Sequence, residues 1–191
     1  MTRRSYLFLA AAAAVAILLA LVEWKMGRSP LGPDGQFGWW TSNIWSDACS
    51  QRVADAYAFS HIIHGMAFFG FLWLVARRLP VSARFFIAVL IEAGWELLEN
   101  SPIIINRYRE ATMALGYSGD SILNSVSDLL MMSLGFFLAW RLPLWVTLLA
   151  IAVMEIGCLL WIRDNLTLNI IMLVHPIEAI KTWQMGAAPT P

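Results

Sequence analysis

The chain has 191 residues, of which 59% are hydrophobic and only 14% charged, and its 13 basic and 13 acidic residues give a formal net charge of +0. Soluble domains sit at roughly 45–50% apolar and about 25% charged, so this composition excludes a free-standing water-soluble globule and makes the bilayer much of the solvent. The even charge balance gives no sign of the basic face that a nucleic-acid partner requires.

Five apolar runs follow in chain order: 6–22, 57–76, 82–99, 121–140 and 144–162. A membrane span needs about 20 residues, within a range of about 17–25. The pattern predicts an all-α, multi-pass transmembrane helix bundle of about five spans. These form one integral membrane domain over 1–191, with a C-terminal interfacial helix. The first run follows Arg3-Arg4 and is longer than the ~7–15 residues of a signal h-region. Glu23-Trp24-Lys25 is a poor cleavage context, so the run reads as an uncleaved anchor. An outer loop, 23–56, begins rich in Gly and Pro and is expected to turn helical from about Ser46. The third run borrows Val81 to Arg84 and stops at Asn100-Ser101-Pro102. Arg107 and Arg109 then fall in a loop. The C-terminal stretch, 164–183, is expected to be an outer interfacial helix capped by Asp164 or Asn165. Leu166, Ile170, Val174 and Ile177 would share one face, with a break near Pro176. A short Ala/Pro-rich end, 186–191, follows.

Orientation is read from the basic residues. Arg3, Arg4, Arg77, Arg78, Arg84 and Arg141 lie in very short segments without an acid; the remaining basic residues are spread among acids in longer segments. Positive density in short loops marks the cytoplasmic side, so the expected location is the cell inner membrane with a cytoplasmic N-terminus and a periplasmic C-terminus. Trp24, Trp95 and Trp161 then fall near outer ends, and Trp73, Trp140 and Trp145 near inner ends, as interfacial belts require. Cys49 and Cys158 form no zinc or redox pattern, and a disulfide between them is left open.

Three spans carry residues that a lipid-facing surface does not tolerate, since each central charge costs roughly 2.5–3.5 kcal/mol on insertion scales. Glu92, Glu96 and Glu99 share one helix stripe by their i, i+4, i+7 spacing. His61 and His64 lie one turn apart. Asp120, Asn124 and Asp128 form a third stripe beside Ser121 and Ser125. At ~1.5 Å rise per residue these stripes meet on the order of 10 Å below the outer surface. Glu155 is placed to join them from below, and Arg107 and Arg109 to cap or neutralise the site from above. Two histidines with several carboxylates suit zinc, manganese or iron. His61, His64, Glu96 and Asp128 are the candidate ligands. Glu96, Glu99, Asp120 and Asn124 are the candidate catalytic residues, with Asn124 orienting a substrate by hydrogen bonding. A metal-bound water could attack a lipid-linked substrate, or a carboxyl group could act with a histidine as general acid or base. The alternatives are a non-catalytic scaffold or binding protein held by interhelical hydrogen bonds, and a small proton-coupled transporter. The odd number of spans and the lack of repeats count against the transporter. Gly116-Tyr117-Ser118-Gly119 is similar to the rhomboid nucleophile pattern. The only later histidine is His175, in the tail, so the tetrapeptide reads as a Gly-rich turn.

Four longer strings carry a stronger likeness: FSHIIHG (Phe59 to Gly65), EAGWELLENSPIIINRYR (Glu92 to Arg109), GYSGDSILNSVSD (Gly116 to Asp128) and RDNLTLNIIMLVHPIEAIKTWQ (Arg163 to Gln184). Together they resemble an uncharacterised family of multi-pass alphaproteobacterial inner-membrane proteins, which implies localisation and leaves the chemistry open. More distantly, the carboxylate helix followed by Asp120, Asn124 and Gly135 looks like VanZ-type membrane proteins.

Overall fold

The structure is a computed structural model that describes residues 3–186; the end of the Ala/Pro-rich tail lies outside the described residues. Eight helices are found among them: α1 (Arg3–Lys25), α2 (Ala58–Val75), α3 (Val81–Glu99), α4 (Pro102–Ala111), α5 (Ile122–Arg141), α6 (Leu144–Ile162), α7 (Leu166–Val174) and α8 (Glu178–Met185). The described residues form no strand beyond an isolated parallel bridge between Trp40 and Ala54. The chain is thus a helical bundle, and α1, α2, α5 and α6 are each long and apolar enough to cross a membrane. α3 has 19 residues but carries Arg84, Glu92, Glu96 and Glu99. It packs between α1 and α5, so its polar face meets protein rather than lipid.

Local chemistry sets most boundaries. Pro80 and Pro143 stand in extended conformation just before α3 and α6, where a missing N–H costs nothing. Ser121 caps α5 by accepting from Asn124 N, and Asn165 caps α7 by accepting from Leu168 N. The tail breaks at His175-Pro176, as expected, into α7 and α8.

Two expectations fail. Pro102 ends α3 but occupies the first turn of a new helix, so 102–111 is α4 and not a loop. Ile105, Tyr108 and Ala111 are its buried residues and recur at helical spacing. Conversely, the stretch after Ser46 forms turns rather than helix. Asp55 explains this: its carboxylate accepts from Ser50 N at 2.7 Å and from Tyr57 N at 2.8 Å, and such side-chain bonds compete with the helical ladder. Ser50 takes the left-handed conformation there, with φ 60°.

α2 packs along α5 and α1 along α3. The core between them holds Leu19, Ala88, Val89, Met132 and Phe136. Helices α2 and α5 touch backbone to backbone: a β carbon on Gly65 would lie 1.9 Å from the Met132 carbonyl oxygen. α6 buries only Thr147, Cys158 and Ile162 and leaves Leu144, Leu148, Val153 and Leu160 exposed. Such an outward apolar surface is the lipid-facing side of a membrane helix. Cys49 and Cys158 are both free thiols.

Candidate functional site

α2, α3 and α5 bring their polar stripes to one place. His61 Nδ1 lies 2.7 Å from Glu92 Oε1, and His64 Nδ1 lies 3.1 Å from the same oxygen. Glu96 Oε1 also faces His61 Nδ1, at 3.5 Å, while on the far side of the ring Asp128 Oδ2 stands 3.8 Å from Nε2. Glu92 and Glu96 are completely buried. Three ligand sets result, each with its donor atoms within 4.8 Å of one another: His61, His64 and Glu92; His61, Glu96 and Asp128; and Glu96, Glu99 and Asp120.

Glu96 differs from its neighbours in one respect. Neither of its carboxylate oxygens has a hydrogen-bond partner, because the nearest imidazole nitrogen already serves Glu92. A buried carboxylate without partners is costly, and it calls for a proton or a cation.

Asn100 organises a second group. Its Nδ2 lies within hydrogen-bond range of Glu23 Oε1 at 3.2 Å, Ser125 Oγ at 3.1 Å and Asp120 Oδ2 at 3.3 Å, while its Oδ1 accepts from Asp120 N at 2.7 Å. Tyr117 donates to Asp120 Oδ1 at 2.9 Å. Burial pushes the Asp120 carboxyl up to about 6, against the pull of Tyr117, His61 and Arg28. Asn124 donates through Nδ2 to the Arg52 carbonyl at 3.0 Å, which ties α5 to the outer loop.

A cavity of about 840 Å³ opens beside the cluster. His61, His64, Glu92, Glu99, Asp120, Asn124 and Asp128 form its polar wall, and Phe68, Ile91, Trp95, Leu166, Ile170 and Leu173 its apolar one. Ile44, Trp45, Cys49 and Gln51 and the run from Thr112 to Ser118 also line it, so the 23–56 loop and the Gly-rich turn are part of the enclosure. Among the described residues no lysine or arginine lines it.

The remaining candidates behave differently. Glu155 does not join the cluster: it accepts from Leu166 N at 3.0 Å and from Thr167 N at 3.2 Å, at the start of α7, where a carboxylate meets the positive end of the helix. Arg107 donates to the Leu173 carbonyl and Arg109 to the Tyr117 carbonyl, so these two arginines bond to backbone oxygens. Arg28 holds the loop above the site, donating to Asp120 O at 2.9 and 2.8 Å and to Ser118 O at 2.7 Å. Glu23, Asn100 and Arg28 escape a reading by apolar runs, because each stands just past a run and looks like connecting chain. The one sequence signal is that acid or amide residues stand directly against the ends of apolar helices.

Fold and site together define a helical membrane protein with a buried histidine–carboxylate cluster beside an amphipathic cavity. The family model for a protein of unknown function, DUF2585, matches residues 23–186, and the chain belongs to that family. It is 51% identical over 183 residues to a UPF0314 protein of Sphingopyxis alaskensis, covering 94% of this chain and 95% of the relative. It is also 51% identical over 176 residues to one of Rhizobium etli (91% and 90% covered) and 50% identical over 181 residues to one of Agrobacterium fabrum (95% and 91%). The resemblance to an uncharacterised alphaproteobacterial family is therefore correct. No solved structure matches the chain.

Proposed function

We propose that this protein is a metal-assisted hydrolase or transferase acting on a lipid-linked substrate at the outer face of the inner membrane. The observation that carries the proposal is Glu96, fully buried with neither oxygen in a hydrogen bond, beside His61 and Asp128. Two carboxylates and an imidazole suit zinc, manganese or iron and leave coordination positions open for water and substrate. His61 and Asp128 also line the cavity, so a cation held there would be within reach of its contents. His64 would orient the centre through Glu92, as outer-shell partners of metal ligands do. Glu99 or Asp120 would take or give the proton.

The apolar wall argues for an amphipathic substrate. Ile91 and Trp95 line the cavity, and Ile91 is also exposed on the outer surface of the bundle. An alkyl chain could lie along this side while its polar head reaches the carboxylates. An anionic head would be repelled by this lining, with no lysine or arginine to receive it, unless a cation sat between. In this reading α3 also crosses the membrane, third of five spans, the N-terminus is cytoplasmic, and the cavity opens to the periplasm.

The test uses detergent-purified full-length protein. Elemental analysis should find near-stoichiometric metal in wild type and its loss in His61→Ala and Glu96→Gln, with the variants still eluting as folded protein. Incubation of the metal-loaded protein with a bacterial envelope lipid extract, followed by mass spectrometry, should yield a product that Glu99→Gln fails to form. Folded wild type without metal would overturn the proposal. It would favour a scaffold, a reading that Asn100 supports by joining α1, α3 and α5 through Glu23, Asp120 and Ser125.

A further inference from the structure

The metal-assisted reading places one cation at His61, Glu96 and Asp128. We infer that a second, oxygen-liganded cation binds at Glu96, Glu99 and Asp120, with Glu96 bridging the two. This inference rests on the reading above and adds to it a site and a class of metal.

Glu96 belongs to both ligand sets, His61–Glu96–Asp128 and Glu96–Glu99–Asp120, and it is the only residue they share. It is completely buried, and neither of its oxygens accepts a hydrogen bond. A carboxylate that served one cation through one oxygen would leave the other unsatisfied, at a cost of roughly 1–3 kcal/mol or more. A bridging carboxylate satisfies both.

Charge points the same way. The three ligand sets together hold five carboxylates and two imidazoles. An imidazole that ligates a metal is neutral, so with all five carboxylates ionised as ligands one divalent cation neutralises two of the five negative charges and a pair neutralises four. The nearby arginines leave the carboxylate oxygens open to a cation, since Arg28 and Arg109 direct their hydrogen bonds to backbone carbonyls.

The neighbours of Asp120 hold it as a ligand. Tyr117 donates to Oδ1 at 2.9 Å and Asn100 lies 3.3 Å from Oδ2, so the carboxylate is oriented from outside the cluster. Outer-shell hydrogen bonds of this kind position metal-binding carboxylates. A site of carboxylate oxygens alone selects a hard cation, magnesium or manganese, whereas the imidazole-bearing site also takes zinc or iron. Paired cations can clamp the attacking and leaving oxygens of a phosphoryl group. That points to a phosphorylated lipid headgroup as the substrate class for a cavity without basic residues.

The experiment is manganese titration of the purified full-length protein, read by elemental analysis and electron paramagnetic resonance. Wild type should bind two equivalents and show an exchange-coupled signal. Glu99→Gln and Asp120→Asn should each fall to one equivalent and show the six-line signal of isolated manganese, and Glu96→Gln should lose the coupling. Glu99→Gln keeps the test open if Asp120→Asn fails to fold, since Glu99 lies outside the Asn100 network. One uncoupled equivalent in wild type, unchanged in Glu99→Gln, would overturn the second site and leave the single-metal reading standing. No bound manganese or zinc in folded wild type would overturn both.

Discussion

Gly65 of α2 and Gly135 of α5 form a reciprocal contact. A β carbon on Gly65 would lie 1.9 Å from the Met132 carbonyl oxygen, and one on Gly135 would lie 1.9 Å from the Ile62 carbonyl oxygen. Small residues at such positions let membrane helices approach through their backbones. His61, His64 and Asp128 sit on these same two helices, so the contact also sets the distance across the site.

An added methyl group at either glycine should therefore act at both levels. Gly65→Ala and Gly135→Ala are each expected to destabilise the fold by about 1–3 kcal/mol, the usual range for overpacking. Denaturant titration in detergent would measure this. An unchanged midpoint in both variants would show that the helices do not meet as closely as described.

Arg28 closes the outer loop over the site with three hydrogen bonds to the Ser118 and Asp120 carbonyls. Arg28→Ala should speed amide exchange across the outer loop and the Gly116–Asp120 turn, with little change in the helices. Arg28→Lys should not restore protection, because an ammonium group lacks the planar fork of donors. Equal exchange in all three proteins would rule out Arg28 as the clasp.

Asn100→Leu removes the amide that serves Glu23, Asp120 and Ser125 together. The buried acceptors left behind should cost about 1–3 kcal/mol or more, seen as a lowered thermal midpoint. Ser125→Ala removes only one member of the network and should cost less. Equal losses from both would place the stabilisation elsewhere.

Asp164 joins three segments of the chain: it accepts from Tyr57 at 3.3 Å, and from Asn165 N and Gln184 at 3.0 Å each. Burial pushes its carboxyl up from 3.8 to about 6, while those hydrogen bonds pull it down. A carboxyl raised in the folded state favours folding when protonated. Its stabilising contribution is complete below about pH 3.8 and is lost as the pH rises through about 6. Asp164→Asn, which cannot ionise, should gain stability relative to wild type by about 1–3 kcal/mol between pH 4 and pH 7. Thermal midpoints of both proteins across that range would check it, and a constant difference would exclude titration of this group.

Local pattern made much of the molecule readable. Apolar runs of span length mark α1, α2, α5 and α6, and Asn100-Ser101-Pro102 marks where α3 stops. The spacing of His61 with His64, and of Glu92, Glu96 and Glu99, follows from helical periodicity alone, and the tertiary structure brings these stripes together. Tertiary structure decided the rest. Glu155 and Glu96 are both acids in long helices, yet one meets the first N–H groups of α7 and the other is left without a hydrogen bond beside His61. Asp55 turned an expected helix into a knot of turns, and Asn100 drew Glu23 into the bundle. A sequence carries the angle of each side chain around its own helix axis. It does not carry the rotation and register of one helix against the next, which here depend on backbone contacts such as those at Gly65 and Gly135.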